Sequence, residues 1–124
     1  MEPDVKEEMD SNQNPTVFVD LDGTLIKQNY CPDTVPDVLI QEVYDGMLEW
    51  KKMGAVIVAT TARSQKHVDC MVNALPCLKD LIDMFLYNLP VGPRILINDT
   101  VRTAEGYEYK AIAFNIERDT GIIL

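Results

Sequence analysis

The stretch TVFVDLDGTL, residues 16–25, decides the fold that we expect for this chain. Its first half is an apolar, β-branched run that is typical of a buried strand, and the run ends on two carboxylates, Asp20 and Asp22. Gly23 follows, so the chain is expected to turn sharply where the acids emerge. Ligands of parallel α/β sheets bind at the carboxyl ends of the strands. Because two acids placed there repel each other and lose solvation, the pattern indicates a cation site or a reaction centre.

Composition predicts one globular domain over residues 16–124, since the chain has 124 residues of which 47% are hydrophobic. Residues 1–15 are rich in acidic side chains and are expected to form a disordered tail. The three cysteines have no metal-like spacing, which indicates free thiols in a reducing compartment and hence a cytoplasmic location. The formal net charge of -9 argues against nucleic-acid binding, and no apolar run is long enough for a membrane span.

Helices and strands are predicted to alternate along the domain. The predicted helices lie near 41–53 and 64–75, and the predicted strands lie at 17–19, 55–59, 84–87, 95–97 and 111–116. This alternation is typical of an α/β fold, a Rossmann-like three-layer sandwich in which helices cover a central parallel sheet of about five strands. The segment 26–40 is unusually long for a connection, which indicates either a mobile flap or an unrecognised helix.

The motif Asp-Leu-Asp-Gly-Thr at residues 20–24 resembles the first motif of the haloacid-dehalogenase-like (HAD) hydrolase superfamily. Two later motifs are present in order. Thr61 resembles the threonine that ends the second strand in this superfamily, and Asn98 with Asp99 resembles its acidic fourth motif. The resemblance covers roughly residue 17 to the C-terminus. It implies a HAD-like hydrolase domain with no cap domain, because neither interval between the motifs is long enough to hold one.

The resemblance implies a Mg²⁺-dependent phosphatase. Asp20 would attack phosphorus and form an aspartyl-phosphate, which divides one difficult step into two. Asp22 would protonate the leaving alkoxide and then deprotonate the attacking water. Mg²⁺ would be held by Asp20, by the Asp22 carbonyl and by Asp99, with help from Asn98. Thr61 would hold a phosphoryl oxygen through its hydroxyl and its backbone N–H.

The third motif of the superfamily is a Lys or Arg that steadies the phosphoryl group, and here Leu89 stands where many small relatives have lysine. Arg94, before the predicted fourth strand, and Lys79, on a predicted helix upstream, are the candidates. We favour Arg94, since its planar guanidinium suits a phosphate. The substrate-binding candidates are therefore Thr61, Ala62, Arg63 and Arg94.

Three functions stay open at this point. The first is a phosphatase that acts on a phosphorylated small molecule, with a sugar phosphate favoured, or on a larger phosphorylated substrate; without a cap its site would be open, or covered by another copy in a homo-oligomer. The second is a catalytically weak HAD-like subunit for binding or assembly, which the missing lysine favours. The third is a receiver-type phospho-acceptor module, although the acceptor of such modules ends the third strand and not the first.

Overall fold

The fold is a small α/β arrangement, seen in a computed structural model that describes residues 14–106 and 108–124. The predicted tail, residues 1–15, therefore lies outside the described residues except for Asn14 and Pro15. The elements in chain order are β1 (Thr16–Asp20), α1 (Gln41–Lys52), β2 (Val56–Thr60), α2 (Gln65–Ala74), α3 (Cys77–Leu81), β3 (Met84–Leu86), β4 (Val101–Arg102) and β5 (Glu108–Tyr109). In the described parts of the chain, no helix is long and apolar enough to cross a membrane.

The centre of the fold is a three-stranded parallel sheet in the order β1-β2-β3. Asp20 is in register with Thr60, and Thr60 is in register with Leu86. The three strands therefore end together, and we call this side of the sheet the carboxyl edge. The predicted α/β class and the parallel sheet are confirmed in this three-stranded form.

The two long helices lie where the sequence predicts them. The side chains of Val43, Met47 and Trp50 on α1 are buried in the core. After the helix ends, Gly54 has φ of +90°, a conformation that favours glycine. α2 begins after Ser64, whose hydroxyl accepts a hydrogen bond from the His67 N–H at 3.3 Å. Amphipathic patterning and an N-cap are local signals, which explains why both helices could be predicted.

Two of the five predicted strands are not formed in the described residues, which corrects the expected sheet of about five strands. Residues 95–97 are in no strand, and their side chains are exposed by 82%, 60% and 93%. The predicted strand 111–116 is reduced to a single bridge between Ile116 and Ile123, while β4 and β5 form an unpredicted antiparallel pair. Strand propensity measures the fit to a packed, paired surface, and nothing in the described structure pairs with the run 95–97.

The long connection after β1 is a loop with a closed base. The Lys27 N–H donates to the Val38 carbonyl at 2.8 Å, and the Ile40 N–H donates to the Leu25 carbonyl at 2.9 Å. Between these bonds lie residues 28–38, which we call the flap loop. No helix forms in it, so of the two interpretations of this segment the loop is the one that agrees with the structure.

Candidate functional site

The two motif acids emerge from a turn that is fixed by Leu21. The Leu21 side chain is fully buried, and its carbonyl accepts the N–H groups of Thr24, Leu25 and Ile26 at 3.0–3.1 Å. Gly23 has φ of +85°, which a residue with a Cβ adopts only with strain. Asp20 and Asp22 consequently flank one anchored residue and leave the sheet at its carboxyl edge.

Asp20 lies in an environment that opposes its ionisation. Burial raises the pKa of the Asp20 carboxyl above its usual value, and the neighbouring Asp22 adds to the rise. Arg94 acts in the opposite direction, together with hydrogen bonds from the Leu21 N–H and the Thr24 side chain. This effect of Arg94 is electrostatic, and no hydrogen bond joins its guanidinium to the Asp20 carboxyl.

We expect Asp20→Asn to raise the Tm of the metal-free protein by about 2–4 °C at pH 7. A carboxyl whose folded-state pKa is raised costs stability when ionised, and this cost disappears as the pH falls below that pKa. The Tm gain should therefore shrink between pH 6 and pH 4 in thermal unfolding. Asp69→Asn, the same change at an exposed position of α2, is the control. A lower Tm for Asp20→Asn than for the wild type at pH 7 would contradict the expected cost of an ionised, buried Asp20 carboxylate.

Asp22 is held by Arg63, which joins it to a third carboxylate, Asp37. Arg63 donates from Nε and Nη2 to Asp22 at 3.0 and 2.7 Å, and from Nη1 and Nη2 to Asp37 at 2.9 and 2.8 Å. Burial alone would raise the pKa of Asp37, but hydrogen bonds from Arg63 and Asn29 outweigh it and hold the pKa below its usual value. The same two carboxylates raise the pKa of Arg63 against the effect of its burial. We call Asp22, Arg63 and Asp37 the arginine clamp.

Thr61 lies at the carboxyl edge, but its backbone is already engaged. Its N–H donates to the Leu86 carbonyl at 3.1 Å, so the predicted contact of this N–H with a phosphoryl oxygen is not supported. The hydrogen bonding between β2 and β3 continues as far as Thr61 and uses its backbone N–H. The hydroxyl accepts from the Arg63 N–H at 2.9 Å and keeps its own hydrogen to donate. The next residue, Ala62, is exposed.

Asp99 is not brought together with the motif acids. Among residues 14–106 and 108–124, no three His, Cys, Asp or Glu side chains form a group that could hold a metal ion. Asn98 is also exposed, and its amide donates to the Asp99 carbonyl at 3.0 Å. Residues 95–97 form no strand, so no strand of the described sheet carries Asn98 and Asp99 to the carboxyl edge.

Arg94 and Asp99 could not both approach Asp20 from one extended strand. Five residues of strand span about 16 Å, so a strand that ends at the carboxyl edge begins near the opposite edge. In the structure the charge of Arg94 acts to lower the pKa of Asp20 against the effect of burial, and its guanidinium donates to the carbonyls of Pro90 and Gly92 at 3.0 and 3.1 Å. The predictions for Arg94 and Asp99 therefore belong to alternative arrangements of residues 90–99.

Sequence reasoning missed Asp37 and Arg118. Asp37 stands in the long connection after β1, where the only available signal was an acid within a loop beside the motif. Arg118 reaches the site from the C-terminal segment, where its side chain lies against Gly23 and donates to the Tyr30 hydroxyl at 3.2 Å. Neither contact has a local sequence signature, because 26 residues separate Asp37 from Arg63 and 88 separate Arg118 from Tyr30.

A cavity of about 180 Å³ lies beside the arginine clamp, between the flap loop and α2. Asp37, His67, Cys70 and Met71 are among its lining residues. His67 pairs with Asp33 of the flap loop at 3.2 Å. The cavity thus adjoins the arginine clamp through Asp37.

No protein-family model matches this chain, and a search of the curated proteins finds no significant match. The function must therefore be argued from the carboxyl edge itself. There the structure places Asp20, Asp22, Thr61 and Arg63, whereas Arg94 and Asp99 are both exposed and Arg94 is linked to Asp20 only through its charge.

Proposed function

We propose that this chain is a Mg²⁺-dependent phosphomonoesterase that works through an aspartyl-phosphate on Asp20, as its resemblance to HAD-like hydrolases suggests. One observation carries the proposal: the Asp20 carboxyl, whose pKa is raised by burial, ends a strand at the carboxyl edge of a parallel sheet, two residues before a second acid. Such perturbed groups concentrate at functional sites. The proposed substrate is a phosphorylated small molecule, with a sugar phosphate favoured.

The reaction divides between the two acids. An Asp20 oxygen forms a bond to phosphorus as the ester P–O bond breaks, and the electron pair of that bond leaves with the substrate oxygen. Asp22 supplies the proton that this oxygen takes up. In the second half, Asp22 removes a proton from water, water attacks phosphorus, and Asp20 is released with inorganic phosphate. Arg94 balances the charge of the phosphoryl oxygens.

The donor set at the carboxyl edge is compatible with Mg²⁺. Proteins hold this ion through one or two carboxylates, with water and substrate phosphate completing an octahedron of oxygens. The Asp20 carboxylate and the Asp22 carbonyl would be the protein ligands, which suits a site that lacks a third acid. When bound, the ion would supply charge neutralisation between Asp20 and the incoming phosphate.

Asp20→Asn should abolish hydrolysis of a generic aryl phosphate, because an amide cannot form the aspartyl-phosphate. Asp22→Asn should reduce steady-state turnover by about 10²–10⁴-fold even on an aryl phosphate, because the second half of the reaction still needs Asp22 as its base. Both are measured as steady-state rates with Mg²⁺, and again after EDTA, which should remove the wild-type activity. Asp69→Asn serves as the matched control. Wild-type protein that does not turn over, or Asp20→Asn protein that does, would contradict the proposal.

Arg94→Met should lower kcat/KM by about 10²-fold or more, because a cation aimed at a transferring phosphoryl group is worth that much. Lys79→Met, the change at the alternative cation on α3, should leave kcat/KM within about twofold, as is usual for exposed positions. Asp99→Asn should behave like Lys79→Met, since Asp99 is exposed and apart from the motif acids. The reverse result, a large loss at Asp99 with none at Arg94, would favour the other arrangement of residues 90–99.

In that other arrangement, residues 95–97 form a fourth strand beside β1 in a five-stranded HAD-like sandwich. Two observations support it as an alternative proposal. β1 is an edge strand of the described sheet, and the apolar run 95–97 is exposed. Asp99 would then reach the carboxyl edge as a third metal ligand, and Arg94 would leave it.

A binding or assembly role is the second candidate function. The arginine clamp favours it, because Asp22 is paired with Arg63 and would have to leave this partner to act as an acid. The two functions differ in one measurable respect, since a binding subunit would retain phosphate esters without Asp20-dependent turnover.

A further inference from the structure

Arg63 has two carboxylate partners, and only one of them belongs to the proposed catalytic pair. Asp22 accepts two of its hydrogen bonds and Asp37 accepts the other two, at distances of 2.7–3.0 Å. The side chains of Arg63 and Asp37 are each only 7% exposed, whereas that of Asp22 is 20% exposed. Asp37 is therefore the more deeply buried partner, and Asp22 is the one with access to a ligand.

This geometry resolves a conflict within the proposed reaction. The Asp22 carboxylate accepts two hydrogen bonds from Arg63, so Asp22 must separate from Arg63 before it can turn to a leaving oxygen. A guanidinium remains charged in proteins, and a buried charge without a partner is strongly unfavourable. With Asp22 as its only partner, Arg63 would hold the acid in place.

We propose that Asp37 is a positioning residue that keeps Arg63 paired while Asp22 turns to the leaving oxygen. The inference rests on the proposed function and assigns a role to the flap loop. Asn29 fixes Asp37 by donating to its Oδ1 at 3.0 Å, and the same amide donates to the Val35 carbonyl at 2.8 Å. The flap loop thus supplies Arg63 with a second carboxylate, which is held in place by Asn29 and not by the motif acids.

A thermodynamic cycle tests the exchange of partners without any measurement of activity. Asp22→Asn and Asp37→Asn should each lower the Tm by only a few degrees, because the other carboxylate still pairs with Arg63. The double variant should lose at least about 5 °C more than the sum of the single losses, since the buried guanidinium then has no anion. In an Arg63→Met background the same Asp37→Asn change should not lower the Tm. Additive losses would overturn the inference.

Single-turnover kinetics test the role of Asp37 in the first chemical step. An aryl phosphate with an acidic phenol needs little protonation of its leaving group, whereas an alkyl phosphate depends on Asp22. Asp37→Asn should slow alcohol release from the alkyl phosphate at least about tenfold more than phenol release from the aryl phosphate, which is part of the roughly 10²–10⁴-fold contribution of a general acid. KM for both substrates should stay within about twofold, because binding is not affected.

Two further variants separate positioning from simple loss of structure. Asp37→Glu keeps the carboxylate and should recover part of the alkyl-phosphate rate. Asp33→Asn removes an exposed acid of the same loop and should leave the ratio of the two rates unchanged. An equal loss on both substrates in Asp37→Asn would overturn the role of Asp37, while wild-type protein without Asp20-dependent turnover would overturn the proposed function. The stability cycle then still decides whether Arg63 exchanges partners.

Discussion

Arg63→Met should destabilise the protein by about 3–5 kcal/mol at pH 7, as expected when one partner of a buried ion pair is removed. Stability is lost because Asp22 and Asp37 would lie close together without the Arg63 cation that now pairs with both of them. A domain of this size has about 5–15 kcal/mol of stability in total, so the variant should be close to unfolding. The free energy of unfolding from urea titration measures the effect.

The pH dependence of this loss identifies its cause. In the wild type the pKa of Asp37 is lowered, so the pairing contributes stability above the usual carboxyl pKa and loses it as the pH falls through the lowered value. In the variant Asp37 loses the hydrogen bonds from Arg63 while its burial still raises its pKa, so this carboxyl becomes neutral earlier as the pH falls through the acidic range. The difference in unfolding free energy between wild type and variant should therefore shrink over this range.

Arg102→Met is the matched control, because Arg102 forms an exposed ion pair with Glu108 at 3.7 Å. Exposed pairs contribute about 0–1 kcal/mol, so this variant should unfold almost as the wild type does. If Arg63→Met were no more destabilising than Arg102→Met, the arginine clamp would not be an energetic feature of the fold.

The parts of the fold that could be predicted are those with local signals. The buried face of α1 is predicted by the spacing of Val43, Met47 and Trp50. The start of α2 is predicted by Ser64, a typical N-cap residue. The motif acids likewise follow a buried strand, so their place at the carboxyl edge was accessible from sequence. Each of these features depends on residues that are close together in the chain.

The parts that could not be predicted depend on distant partners. The run 95–97 has the composition of a strand, but a strand needs an edge to pair with, and sequence does not say whether it reaches one. The same holds for Asp37, which becomes part of the site only because the flap loop folds back onto Arg63. The prediction of Arg63 as a substrate-binding residue stays open, although its guanidinium already carries four hydrogen bonds.

Leu21→Ala is expected to have the second large effect, a loss of about 2–5 kcal/mol in the free energy of unfolding. Leu21 is fully buried in the core cluster, and the surrounding strands and turn restrict how far the site can collapse around the missing atoms. The substitution is also placed between Asp20 and Asp22, whose positions depend on the anchored turn. Activity with an aryl phosphate should consequently fall even at temperatures where the variant remains folded.

Leu96→Ala is the control for this substitution, since it makes the same chemical change at a side chain that is 60% exposed. In the described structure it should cost no more than about 0.5 kcal/mol, as is usual for surface positions. The pair of variants also tests the sheet. A loss at Leu96 as large as that at Leu21 would mean that the run 95–97 is packed, which would contradict the three-stranded arrangement and favour a fourth strand beside β1. A large loss at Leu21 alone would agree with the three-stranded arrangement, in which Leu21 is buried and the run 95–97 is exposed.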